Sequence, residues 1–195
     1  MKTPLQLLRP RQAAALACAL WLAAGCASPA GAQDGAFAPL VRRMAERLTT
    51  ADQVALSKWD SGQSVYDPER EAKVIANVSA AAPAHGVAAA DAAGVFTDQI
   101  EANKEIQYAL LGGWRREGGA PTTPRQSLAD AIRPQLDKLQ ASILQDLHDA
   151  GPQRSAADCP TQLAMAAGQV AREQGLDVLH RVALDRAVAR VCVKP

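Results

Sequence analysis

The stretch Phe96–Trp114, FTDQIEANKEIQYALLGGW, decides the fold. At 100° per residue its apolar side chains fall on one narrow face, which is typical of a helix packed against a core. This face comprises Phe96, Ile100, Leu110, Leu111 and Trp114, and the charged Asp98, Glu101, Glu105 and Arg116 are expected well away from it. Asn103 and Gln107 lie in the middle of the face. A buried carboxamide without a partner costs about 1–3 kcal/mol, so the two amides either cross-link helices or contact a ligand.

Length and composition extend the helical prediction to the whole domain. The chain has 195 residues, only 4% of them aromatic, and alanine is frequent, which favours packed helices over a sheet. Apolar periodicity and breakers predict an all-α, single-domain bundle of about six helices. Their expected ranges are about 37–59, 68–82, 89–116, 127–149, 160–174 and 176–191.

Residues 1–32 have the pattern of a signal peptide. A basic start precedes the apolar run Ala13–Ala24, which is too short to span a bilayer well. Ala30–Ala32 then fits the A-x-A pattern and predicts cleavage after Ala32. Lipoprotein processing at Cys26 ranks second, because the leucine before it lies one place too far upstream. Either route predicts export to the periplasm or the exterior, with membrane attachment only through a lipid on Cys26.

Net charge limits the classes of partner. The whole chain has 21 basic and 20 acidic residues, and the leader contains three of the basic ones, so 18 remain against 20. A mature charge of −2 argues against nucleic-acid binding, which needs a clustered basic surface.

Two cysteines remain after the leader, Cys159 and Cys192. An even pair in an oxidising compartment predicts a disulfide. It would close a loop of 33 residues, worth roughly 3–4 kcal/mol by chain entropy. Metal binding or nucleophilic chemistry by the thiols is the weaker alternative.

Cations are predicted on inward helical faces. Arg47 and Lys58 are eleven residues apart, or three helical turns, so both point in one direction from an apolar face, where charges are unusual. Arg133 flanks the apolar stripe of the fourth helix. No phosphate loop, metal motif or nucleophile pair accompanies them.

The second helix adds a further cation and two acids. Asp67 is expected as its N-cap, with Arg70 and Glu71 in the first turn. Several cations cannot be desolvated together without counter-charges, and Asp67 and Glu71 are the only evident inward acids. The missing charge is most simply a small dicarboxylate, which arginine can bind through two parallel hydrogen bonds.

These residues, in order, match a known pattern. Arg47 with Lys58, the run Asp67-Pro-Glu-Arg-Glu71, and the run from Asp98 to Tyr108 resemble the all-helical AroQ-type chorismate mutases. The leader, the run Arg133–Asp137 and the cysteine pair are similar to the secreted gamma class. The resemblance covers residues 33–195, with catalytic helices at about 37–149 and a disulfide-stapled helical extension at about 155–195.

The resemblance implies a reaction and a set of residues. The reaction is the intramolecular Claisen rearrangement of chorismate to prephenate in phenylalanine and tyrosine biosynthesis, by an isomerase that needs no cofactor or metal. A homodimer is also implied. The implied site residues are Arg47, Lys58, Asp67, Arg70, Glu71, Asn103, Gln107 and Arg133. By position in the family, Arg47, Arg70 and Arg133 would bind carboxylates, and Lys58 and Gln107 would donate to the ether oxygen.

The remaining roles concern the substrate's hydroxyl and the orientation of the cations. Glu71 would accept the ring hydroxyl, while Asp67 and Asn103 would hold the substrate. Two rival functions stay open on the residues alone. One is a non-catalytic periplasmic binding protein for a small dicarboxylate, and the other is a structural module whose inward polar residues bridge helices.

Overall fold

The computed structural model describes residues 35–193, which form seven α-helices and no β-strand. The helices are α1 (Ala38–Ser61), α2 (Pro68–Ala81), α3 (Ala89–Glu117), α4 (Arg133–Asp149), α5 (Gly151–Arg154), α6 (Cys159–Glu173) and α7 (Val178–Ala187). A 3₁₀ helix, Ala82–His85, follows α2, and a π-helix, Leu128–Ile132, leads into α4. The predicted all-helical bundle is confirmed. The additional helix is α5, which forms where the fourth helix was expected to end.

The predictions for the leader, namely a signal peptide with cleavage after Ala32 or processing at Cys26, lie outside the described residues. Between residues 35 and 193, no helix combines the length and the apolar character needed to cross a bilayer.

Local sequence explains where the main helices begin and end. Asp67 caps α2 as predicted, because its Oδ1 accepts a hydrogen bond from the backbone N–H of Arg70 at 3.1 Å, and Pro68 occupies the first helical position. Gly62 and Gly118 end α1 and α3 with φ of 69° and 86°, a left-handed conformation that side chains with a Cβ avoid.

The two longest helices, α1 and α3, pack against each other at the centre of the bundle. Helix α3 also contacts α2 and α7, whereas α1 contacts α4 and α6. The main core is apolar and fully buried, with Leu40, Met44, Phe96, Ile106 and Leu147 among its members. A smaller cluster contains an edge-to-face pair formed by Trp59 and Trp114, whose ring centroids are 6.0 Å apart.

Asp98 lies off the apolar stripe of α3, yet it is buried, because α7 packs on that side of the helix. Asp98 is fully buried, accepts a hydrogen bond from Arg186 and lies 3.6 Å from Arg190 Nε. Gln99 beside it is also buried and donates to Ala187 O at 3.3 Å. The physical reason is that α7 covers a second side of α3, which a single apolar stripe does not reveal. Asp98 is therefore a further inward acid that the sequence interpretation missed.

The C-terminal helices are tied to the bundle by covalent and ionic contacts. The predicted disulfide between Cys159 and Cys192 is present, with the Cα atoms 5.9 Å apart. It joins the start of α6 to the chain beyond α7. Arg154, which is buried, donates to Val191 O at 2.7 Å and to Asp91 Oδ1 at 2.8 Å.

His180 connects α7 to α1. Its Nδ1 lies 2.9 Å from Asp177 Oδ1 and its Nε2 lies 3.2 Å from Asp52 Oδ1 on α1. The contact with Asp52, and after it the contact with Asp177, raises the pKa of His180 to about 9. Burial acts in the opposite direction but is outweighed. The sequence gives no sign of this contact, because Asp52 is far from His180 along the chain.

Candidate active site

A cavity of about 200 Å³ opens among α1, α2, α3 and the start of α4. All eight site residues expected from the sequence line it, namely Arg47, Lys58, Asp67, Arg70, Glu71, Asn103, Gln107 and Arg133. Apolar side chains complete the wall, namely Val54, Val65, Val74, Ile100, Leu128, Ile132 and Leu136. The cavity therefore combines converging polar groups with an apolar surface, as small-molecule sites do.

Helix α1 contributes Arg47 from its buried face. Arg47 is 7% exposed, and its guanidinium carbon lies 5.8 Å from the centre of the Phe96 ring. Its NH1 donates a long hydrogen bond, 3.4 Å, to Gln99 O. Burial lowers the pKa of Arg47 to about 10, and no carboxylate among residues 35–193 forms a salt bridge with it. A buried cation in this position is suited to an anionic ligand.

Lys58 lies three turns further along α1, and its position is fixed by the connection to α2. Its Nζ donates to Ser64 O at 2.7 Å and to Val65 O at 2.8 Å. An ammonium group has three donors, so one is left to point into the cavity. Burial lowers the pKa of Lys58, an effect that the nearby charges of Asp67 and Glu71 partly offset.

Asn103 and Gln107 face the cavity from α3 and are bonded to each other. Gln107 Nε2 donates to Asn103 Oδ1 at 2.7 Å. Gln107 is 4% exposed, and its Oε1 is buried without a hydrogen-bond partner among the described residues. The oxygen and nitrogen of an amide are exchanged by a half-turn. If both amides turn, Asn103 donates to Gln107 Oε1, and the hydrogen bond between the two side chains is kept.

The first turn of α2 places Asp67, Arg70 and Glu71 at the rim. Asp67 and Arg70 are exposed, and Glu71 is partly buried. The backbone N–H of Asp67 donates to Glu71 Oε1 at 3.4 Å. Asp67 thus both caps α2 and forms part of the cavity wall.

Arg133 lines the cavity from the start of α4, directly after the π-helix Leu128–Ile132. Short π segments within helices often occur at functional sites. The preceding loop is anchored to α1, because Arg125 forms two hydrogen bonds to the Asp60 carboxylate at 2.9 and 3.2 Å. The loop before Arg133 is thereby held against α1, which also lines the cavity.

The sequence interpretation missed five polar residues in the wall, namely Thr50, Gln63, Lys104, Asp137 and Gln140. Lys104 lies four residues after Ile100 and three before Gln107 on α3, so helical periodicity could have placed it beside the cavity. Thr50, Asp137 and Gln140 are on amphipathic helices and Gln63 lies in the connection between α1 and α2. Single polar side chains at such positions are usually solvated, so their types alone do not point to the cavity. Together the wall has five cations, Arg47, Lys58, Arg70, Lys104 and Arg133, and three acids, Asp67, Glu71 and Asp137. Its formal charge of +2 complements a dianion.

Comparison with known proteins identifies the family. The family model described as chorismate mutase type II matches residues 38–108. A secreted chorismate mutase of Mycolicibacterium smegmatis is 32% identical over 176 residues, covering 89% of this chain and 97% of the relative. The chain belongs to the type II chorismate mutase family. A secreted chorismate mutase of Mycobacterium tuberculosis is 30% identical over 194 residues, 95% of this chain and 96% of the relative.

Two solved chorismate mutases have the same fold. The enzyme from Burkholderia phymatum has a TM-score of 0.82 and 66% identity, covering 84% of this chain and all of the other. The enzyme from Burkholderia thailandensis has a TM-score of 0.77 and 38% identity, covering 80% and 99%. The expected chorismate mutase activity, that of an isomerase with chorismate as substrate, is thereby confirmed. No comparison favours the dicarboxylate-binding alternative.

Proposed function

We propose that the cavity of charge +2 is the site where chorismate rearranges to prephenate. The observation that carries the proposal is the meeting of five cations and four carboxamides, from separate segments of the chain, around about 200 Å³ of partly apolar space. Chorismate carries two carboxylates and an apolar ring, so its charge and its surface both match this wall. The activity serves the synthesis of phenylalanine and tyrosine.

The chemistry requires no covalent help from the protein. Within one molecule the ether C–O bond breaks while a C–C bond forms, and negative charge grows on the ether oxygen. The protein must hold the compact diaxial conformer and place donors where that charge develops. Fixed cations and amides in a largely desolvated cavity do both without reorganising during the reaction.

Lys58 and Gln107 donate to the ether oxygen in this proposal. Two of the three hydrogens on Lys58 Nζ are donated to backbone carbonyls, which hold the ammonium group in place. The third hydrogen is the one proposed to contact the ether oxygen. Gln107 reaches the same oxygen after the paired half-turn with Asn103, which preserves their mutual hydrogen bond and satisfies Gln107 Oε1. Because a carboxamide has no proton to lose in the ordinary pH range, this donor is insensitive to pH.

The arginines bind the two carboxylates. No acid among residues 35–193 pairs with the buried Arg47, so a substrate carboxylate supplies the counter-charge that its burial demands. Arg70 and Arg133 are exposed at the rim, where they attract the dianion and clamp it after entry.

Glu71, Asp67 and Asn103 orient the substrate. Glu71 accepts the ring hydroxyl, since an ionised carboxylate has several free acceptor positions. Asp67 holds the first turn of α2 and thereby fixes the rim, and Asn103 orients Gln107.

We propose further that the enzyme is exported to the periplasm, that residues 1–32 are its signal peptide, and that it forms a homodimer. The relatives described as secreted support the export. The proposed domain is 33–195, with helices at about 37–149 forming the site and the segment at about 155–195 forming the stapled extension. Mass spectrometry of the mature N-terminus and sedimentation of the purified protein test these proposals. A start at Cys26 with a lipid, or a monomer at micromolar concentration, would refute the respective part.

The catalytic proposal is tested by incubating the purified protein with chorismate and following the loss of its ultraviolet absorbance and the formation of prephenate. Arg47→Met is the informative variant, because an apolar side chain of similar length fills the buried site without destabilising it. We expect its kcat/KM to fall at least about 10-fold. Arg43→Met, which changes an exposed arginine on the same helix, is the matched control. Equal activity in both variants would refute the location of the site.

A further inference from the structure

Lys104 lines the cavity, and the roles described above leave it without a function. It belongs to α3, and its side chain is only 13% exposed. The substrate-binding roles proposed for the other four cations account for the substrate's two carboxylates and its ether oxygen. A fifth cation in the same wall therefore requires a separate explanation.

The contacts of Lys104 point toward α2 and not toward the centre of the cavity. Its Nζ lies 2.9 Å from Glu71 Oε2 on α2 and 2.9 Å from Glu101 Oε1 on its own helix. Lys104 Nζ also lies over the ring of Tyr66, 5.4 Å from the centre of the ring. Lys104 is thus held by two carboxylates and an aromatic face, in a geometry that leaves little freedom to its ammonium group.

The partner of Lys104 is the residue proposed to accept the ring hydroxyl. Glu71 Oε2 pairs with Lys104, while Glu71 Oε1 lies 3.4 Å from the backbone N of Asp67. The second contact is long, so the pair with Lys104 dominates the orientation of the carboxylate. Burial lowers the pKa of Lys104, but hydrogen bonds to Glu101 and Glu71 outweigh burial and raise it above its ordinary value, so the lysine is charged.

We propose that Lys104 is a positioning residue, which holds the Glu71 carboxylate against α3 so that its free acceptor positions face the substrate hydroxyl. The inference rests on the proposed function of the cavity, and it names the contact that orients the Glu71 carboxylate. Glu101 and Tyr66 fix Lys104, Lys104 fixes Glu71, and Glu71 aligns the ring. The ion pair between Glu101 and Lys104, three residues apart on α3, is in this way part of the substrate site.

The test compares Lys104→Met, Lys104→Arg and the control Lys73→Met, which changes an exposed lysine on α2. The hydroxyl contact is made in the substrate and in the transition state alike, so its loss raises KM more than it lowers kcat. We expect Lys104→Met to raise KM about 10-fold or more with kcat within about 3-fold. Lys104→Arg should restore most of the affinity, because it keeps the charge.

A double-mutant cycle with Glu71→Gln separates positioning from direct binding. If Lys104 acts through Glu71, adding Lys104→Met to Glu71→Gln causes little further loss. Losses that multiply would show that Lys104 binds substrate directly, and would overturn the proposal. Prephenate affinity, measured by calorimetry on the same four proteins, gives the comparison if turnover of Glu71→Gln is too slow.

A merely structural role gives a different result. It would lower the unfolding temperature and the apparent kcat of Lys104→Met while leaving KM unchanged, and that outcome would overturn the proposal. A Lys104→Met variant with full activity and an unchanged KM would overturn it as well. Failure of the wild-type protein to consume chorismate would instead refute the proposed function, so the two failures are distinguishable.

Discussion

Lys58→Ala is the substitution that tests the electrostatic mechanism most directly. Lys58 Nζ is held by Ser64 O and Val65 O, and its remaining donor is the one proposed to stabilise the ether oxygen. Truncation to alanine removes that donor, the positive charge and both structural hydrogen bonds. The effects on rate and on stability can be separated, because their expected sizes differ.

Removal of one donor aimed at a developing oxyanion lowers the rate about 10²–10³-fold, which corresponds to roughly 2.7–4 kcal/mol of activation free energy. The loss of the two hydrogen bonds to carbonyls should lower the free energy of unfolding by only about 1 kcal/mol, since the connection borders solvent and water can replace the lysine. For a domain of this size that is a decrease of about 2–4 °C in Tm. The effect on rate therefore exceeds the effect on folding.

The measurements are kcat from chorismate consumption and Tm from circular dichroism. Lys138→Ala, at an exposed position on α4 outside the cavity, is the matched control and should leave both values unchanged. If Lys58→Ala turns over within about 3-fold of the wild type, or if its loss of activity equals the fraction unfolded, the assignment of Lys58 to the ether oxygen is wrong.

Three further groups of predictions concern the pH dependence of turnover, the disulfide and His180. Wild-type turnover should be nearly flat between about pH 5 and 8, because no proposed group has an ordinary pKa in that window. Gln107→Glu should instead lose activity as pH rises, because only the protonated acid can donate. Replacing both Cys159 and Cys192 with serine should lower the free energy of unfolding by about 3–4 kcal/mol, measured by urea denaturation. His180 should stabilise the fold fully below about pH 6.5 and lose its contribution as pH rises through about 9. We expect that change to be about 1–2 kcal/mol, since Asp52 is half exposed and solvent screens the pair.

Each of these predictions has a control and a contradicting result. A steep loss of wild-type activity between pH 5 and 7, with the fold intact, would exclude the carboxamide of Gln107 as the donor. Reduction of the wild-type disulfide should reproduce the stability of the double serine variant, and a stability unchanged by both would contradict the entropic argument. His180→Gln should flatten the dependence of stability on alkaline pH, whereas His148→Gln, at an exposed histidine, should not. Equal curves for the two histidine variants would refute the ion-pair explanation.

Much of the helical pattern, and part of the site, follows from local rules. The cap at Asp67 and the ends of the long helices require only short-range chemistry, and the structure has them where they were expected. The spacings of Arg47 to Lys58 and of Asn103 to Gln107 fix their common direction, because each pair lies on one regular helix. That direction is sufficient to suggest a polar cavity.

The sequence interpretation failed where contacts between distant segments determine burial. Asp98 is charged and lies away from the longest apolar stripe, yet α7 covers it and supplies Arg186. His180 gave no signal because its partner Asp52 belongs to another helix. The sequence analysis assigned nothing to Lys104, since its contact with Glu71 depends on the packing of α2 against α3.

The sequence by itself determined that the chain is helical, where most helices begin and end, which face of each is apolar, and which cations and amides share that face. It did so because capping, backbone preference and helical periodicity act over a few residues. Only the tertiary structure decided that the segments carrying Arg47, Arg70, Gln107 and Arg133 surround a single cavity. The choice of neighbours depends on the burial and charge compensation of the whole bundle, a sum over distant contacts that no short stretch of sequence contains.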